Sequence, residues 1–162
     1  MIRIGFDQFT LILRPTIDFE IDEWEDIALF MISEFIEKAS IQYIFSEVGE
    51  MKIGLPQGYT QGFNCPKEPF YFSMAYHEFF SKMGVIIKFS GNAWAIYQSQ
   101  YKELSGEDIY LHNFLQKIQS PFYEMRLSRV DPYVDFIDEG IEVRQIKKSL
   151  ESGRMVLRYG KY

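Results

Sequence analysis

The hydrophobic pattern along the chain changes period several times. Phe9-Thr-Leu-Ile-Leu-Arg-Pro15 reads as a strand that Pro15 ends. Trp24, Ile27, Met31 and Phe35 then recur at helical spacing, after Asp22 as N-cap and Glu25 completing a capping box. Ile41–Phe45, Met51–Leu55, Phe70–Tyr76 and Val85–Phe89 are short runs of branched and aromatic residues, punctuated by Gly and Pro, and read as antiparallel strands. In one of these, Phe70, Phe72, Met74 and Tyr76 share a parity and face the core. Ser90-Gly-Asn92 opens a helix with Trp94 and Tyr97, and a further helix starts at Ser105 with Asp108 as its capping partner. Leu111, Phe114, Leu115 and Ile118 form the apolar face of that second stretch, which Ser120-Pro121 ends. A strand over about 123–136 follows, then a helix with Val143, Ile146 and Leu150 on one side. Gly153 stands at its C-cap position, and a last strand is expected over Arg154–Tyr159.

This order, β-α-β-β-β-α-β-α-β, predicts an α+β fold: an antiparallel sheet of about five to seven strands covered on one face by helices. The whole chain, 1–162, is expected to be one domain. Residues 1–121 form a first α+β unit, and 122–162 echo its opening as the start of a second, truncated β-α-β unit, one and a half copies of a repeat.

Composition adds a large core: 47% of the 162 residues are hydrophobic, with fifteen Phe, eleven Tyr and two Trp. One cysteine, Cys65, excludes an internal disulfide and suits a reducing compartment. There is no secretion signal at the start and no run near ~18 apolar residues, so a soluble cytoplasmic protein without a membrane span is expected. Net charge is −6, unevenly spread: residues 1–114 carry −8 and residues 115–162 carry +2. Contacts to phosphate are therefore expected from the C-terminal third, through Arg126, Arg129, Lys147, Lys148, Arg154 and Arg158.

Common catalytic signatures are absent. His77 and His112 lie in different elements without metal-ligand spacing, and no phosphate-binding glycine loop is present. The stretch with chemical content is Leu127-Ser-Arg-Val-Asp-Pro-Tyr-Val-Asp-Phe-Ile-Asp138. If extended, it presents Arg129, Asp131, Tyr133 and Asp135 on one face and Val130, Val134 and Phe136 on the other. Such a face is either a site or the wet side of a half-buried sheet. Residues four apart on a strand are ~13 Å apart, whereas Mg2+ ligands sit ~2.1 Å from the ion. A regular strand therefore cannot give one metal both Asp131 and Asp135.

Arg129-Val-Asp-Pro-Tyr-Val-Asp135, followed by a short helix and Ser152-Gly-Arg-Met-Val-Leu-Arg158, resembles the R-[IV]-D-x-x-x-D segment of the Rep-trans replication initiation factors. These are rolling-circle plasmid initiators and related relaxases of mobile elements. Met83-Gly-Val-Ile-Ile-Lys-Phe-Ser-Gly91 is similar to the family's strand ending in Ser-Gly, and Asp7–Leu13 to its first strand. The resemblance implies a DNA partner and a divalent metal, Mg2+ or Mn2+, with Asp131 and Asp135 at the family's acidic positions. It also implies a tyrosine that attacks a phosphodiester. Two departures stand out. Lys88 lies where many members carry an acidic residue and would repel a cation, and the family's nucleophile lies further downstream than these 162 residues. The expectation is therefore the DNA-binding N-terminal part of an initiator or relaxase, not competent for nicking alone. The alternative is a non-enzymatic interaction or regulatory protein, homodimeric, that keeps only the fold. A complete nickase would have to use Tyr133, Tyr159 or Tyr162.

Overall fold

The computed structural model describes residues 1–67, 71–140 and 142–156. Six strands form one antiparallel sheet in the order β2-β3-β4-β5-β1-β6, and five helices accompany them. The first strand, β1 (Ile2–Pro15), is longer than its apolar run. It pairs with β5 (Val85–Phe89), with Leu11 opposite Ile87. β4 (Phe72–Tyr76) lies on the other side of β5, with Met74 also opposite Ile87. Alternation along these three strands turns Phe9, Leu11, Leu13, Phe72, Met74, Tyr76, Val85, Ile87 and Phe89 to one face, all buried. Phe70 lies outside the described residues.

Helices cover that face. α1 (Trp24–Lys38) buries Trp24, Met31 and Phe35, with Ile27 packed beside them. Its start is not capped from Asp22. A short 3-10 turn, Ile21–Glu23, precedes it, and the Glu23 carboxylate accepts from the Glu20 amide at 2.8 Å. α3 (Gly91–Ser105) is capped by the Ser90 hydroxyl, which accepts from the Ala93 amide at 3.1 Å. It runs to Ser105 and ends at left-handed Gly106, so no helix begins at Ser105. Asp108 pairs with Lys102 instead, and α4 (Leu111–Lys117) starts where Asn113 accepts from the Tyr110 amide.

Two expected strands are corrected. Ile41–Ile44 is a helical turn, α2, because residues three apart on a turn can both enter the core, and Ile41 and Ile44 do. Met51–Leu55 forms bends. The pairing segments are β2 (Gly49–Glu50) and β3 (Gln61–Asn64), and the Leu55 side chain lies over Gly62 of β3. Gly84, at φ +70°, makes the turn into β5 so close to the Leu13 carbonyl that no side chain would fit.

β6 (Tyr123–Phe136) carries Pro132 and takes the sheet edge opposite β2 among the described residues. The chain divides into a core unit, Phe6–Asp131, and a terminal unit formed by Met1–Gly5 with Pro132–Tyr162. In the terminal unit the Ile137 amide donates to the Met1 carbonyl at 2.8 Å, and the hydroxyl end of the Tyr133 ring occupies the space beside side-chain-free Gly5. α5 (Val143–Glu151) ends at left-handed Gly153, as expected, yet buries none of its side chains. Arg154 and Met155 form bends rather than a strand, and Leu157–Tyr162 lie outside the described residues.

Candidate nucleic-acid interface

Gln8, Thr10, Ile12 and Arg14 alternate with the core-facing residues of β1 and so project from the sheet face opposite the helices, where Thr10, Ile12 and, on β4, Ser73 and Ala75 are buried and Arg14 is exposed. Lys88 of β5 does the same. Thr10 and Ser73 stand opposite it in the two neighbouring strands. Its ammonium lies over the Tyr71 ring, 5.4 Å from the centroid, and the Ser73 hydroxyl donates to the Tyr71 oxygen at 3.3 Å. Lys88 forms no ion pair among the described residues.

Arg129 and Asp131 meet on this face. The guanidinium grips the carboxylate with both forks, Nε to Oδ1 at 2.9 Å and Nη2 to Oδ2 at 2.7 Å. Gln8 adds a third donor, its Nε2 reaching Oδ2 at 2.5 Å. Arg129 first, and Gln8 after it, hold the Asp131 carboxyl below the usual carboxylate range.

That arrangement does not fit a resident divalent cation. Each Asp131 oxygen already accepts from a donor, and an incoming ion would have to displace Arg129. Among the described residues no three His, Cys, Asp or Glu side chains gather within reach of one ion. Asp135 is exposed in the terminal unit.

Further along the same strands is a concavity of about 190 Å³ lined by Ile12, Arg14, Glu124, Met125 and Arg126. A broader one of about 410 Å³ shares Arg14 and Glu124 and adds Lys82. Arg14, Lys82 and Arg126 have no ion-pair partner among the described residues, and Glu124 is the one acid in either wall. These are shallow, cation-rich surfaces suited to an extended polyanion.

Of the basic residues expected at a DNA interface, Arg126 and Arg129 belong to this core-unit face. Lys147 and Lys148 are exposed on α5, Lys147 facing Glu151 at 3.8 Å, and the Arg154 Nε donates to the Ser152 hydroxyl at 3.0 Å. Arg158, Tyr159 and Tyr162 lie outside the described residues. Sequence reasoning missed Arg14 and Lys82, which only chain crossing brings to Arg126. It also missed the placement of Lys88, although strict alternation with Ile87 and Phe89 was a usable signal.

The histidines are engaged locally. His77 Nδ1 accepts from the Phe79 amide at 3.1 Å, and His112 stacks on Tyr110.

No family model matches the chain, and no curated protein matches it significantly. A solved structure does match, that of a rolling circle replication initiator protein from Geobacillus stearothermophilus. The two align over 99% of this chain and 54% of that one, with a TM-score of 0.56 and 15% identity. The likeness is one of fold. This chain spans about half the length of that structure. Among the described residues no helix is long and apolar enough to cross a membrane.

Proposed function

We propose that this chain is the DNA-binding part of a replication-initiator-like protein and that phosphates lie on the sheet face opposite the helices, at its exposed Arg14 and Arg126 end. The observation carrying this reading is that Arg14, Lys88 and Arg126 form no ion pair among the described residues on one face of an initiator-like fold, with Glu124 the single acid beside Arg14 and Arg126. A lysine or arginine with no ion pair to break loses little when it meets a phosphate, and each phosphate neutralised releases counterions.

Binding, rather than strand cleavage, is the activity proposed. Burial, aided in Tyr76 by a hydrogen bond to Glu25, pushes the phenols of Tyr76, Tyr97 and Tyr123 upward. A nucleophilic tyrosine needs the opposite shift. Tyr133, against Gly5, has no carboxylate bonded to it among the described residues.

Fluorescence anisotropy with labelled single-stranded and duplex DNA at about 50 mM and about 200 mM salt tests this. The wild-type protein should bind at the lower salt and weaken steeply at the higher. Arg14→Ala with Arg126→Ala should lower affinity and flatten the salt slope by about 1–2. No binding at low salt would end the proposal.

A further inference from the structure

The segment 17–30 and the turn after β4 carry a second surface that the DNA reading leaves unused. Ile17, Ile21, Phe30, Phe79 and Phe80 are all exposed there, Ile21 and Phe79 to more than three quarters of their area (78% and 76%). Ile21 and Phe79 border a concavity of about 390 Å³ and Ile17 and Phe30 one of about 400 Å³, on either flank of the start of α1, and Phe80 follows Phe79 on the turn. The platform is firmly built. Trp24 Nε1 donates to the His77 carbonyl at 2.8 Å, and the Tyr76 hydroxyl donates to Glu25 at 3.1 Å, so the turn is tied to the helix start.

Polar walls give the surface a sign. Residues 17–30 hold six carboxylates, Asp18, Glu20, Asp22, Glu23, Glu25 and Asp26, and no basic side chain, and Glu78 joins them across the first concavity. None of the seven forms an ion pair among the described residues. Large exposed apolar groups rimmed by charge mark interaction sites. Unneutralised carboxylates at this density repel phosphate and favour cationic partners.

We propose that this surface docks a basic amphipathic helix of a partner protein. The helix lays its apolar stripe into the two concavities, and its lysines and arginines meet the acidic walls. DNA is the wrong occupant because every wall carries its own sign of charge. The inference uses none of the residues proposed for DNA binding and stands or falls separately.

The probe is a fluorescent leucine–lysine peptide with leucines at helical spacing, titrated against the full chain by anisotropy. Two controls accompany it: the same residues scrambled to break the stripe, and a leucine–glutamate analogue. The striped cationic peptide should bind and both controls should not. Phe79→Ser with Phe80→Ser, both solvent-facing, should weaken it at least about tenfold. Asp22→Asn with Asp26→Asn should weaken it and reduce its salt dependence. DNA binding should be unchanged in both double variants. Equal binding of the scrambled peptide, or binding indifferent to Phe79 and Phe80, overturns the proposal. So does concentration-dependent self-association that those two substitutions abolish, since a second copy would then be the occupant.

Discussion

The core unit and the terminal unit treat apolar side chains in opposite ways. In Phe6–Asp131, Phe89 stacks on Phe9 at 4.8 Å and meets Phe72, Trp94, Tyr97 and Phe114 edge-on, all within 6.1 Å. In the terminal unit no described residue is buried, and Val134, Phe136, Val143 and Val156 all face solvent. Both regions contain strand and helix with good hydrophobic spacing, so periodicity does not separate them. What separates them is how far their apolar side chains are buried. α5 has an apolar side of which no residue is buried, whereas α1, α3 and α4 share one set of aromatic neighbours.

The widest difference should come from Phe89→Ala, which removes the hub of the ring cluster. Urea unfolding should show a loss of about 3–5 kcal/mol. A loss under about 1 kcal/mol would mean that the ring cluster is not where the core unit keeps its stability. At the other extreme, Val143→Ser should change stability by less than about 0.5 kcal/mol, because the side chain is 80% exposed. A larger loss in the same denaturation would reveal burial of α5 in solution and erase the contrast.

The smallest effect concerns the Arg129–Asp131 pair. Asp131 has its pKa depressed by Arg129 and Gln8, so its contribution is present above the ordinary carboxylate pKa of ~3.9. It is lost as pH falls through the lower folded value. Carboxyl NMR titration should place Asp131 below the exposed carboxylates, and Arg129→Ala should return it toward them. An unmoved Asp131 would show that the bidentate pair does not persist in solution.

How much of this was legible in the chain depends on where each signal resides. Tyr123–Phe136 announces itself as a strand by alternation, and the α1 stripe by its period. Local chemistry sufficed for both. Ile41–Phe45 looks like a strand because isoleucine, tyrosine and phenylalanine favour one, but the core accepts Ile41 and Ile44 from a helical turn. Gly49–Glu50 and Gln61–Asn64 have no strand-like composition, and pairing with neighbours decides them. The interface divides in the same way. Arg126, Arg129 and Asp131 were visible as a charged strand. The approach of Gln8 to Asp131 spans more than a hundred residues and leaves no local trace.

One feature of β6 reaches beyond ligand binding. Among the described residues β6 is a fourteen-residue strand at the sheet edge, and such an edge is a template on which identical chains can polymerise. Pro132 sits partway along it and, lacking an N–H, cannot donate to an added strand. At the far side of the sheet the two-residue β2 is too short to seed growth. Among the described residues, neither margin of this charge-bearing sheet is thus easy to extend into a fibre.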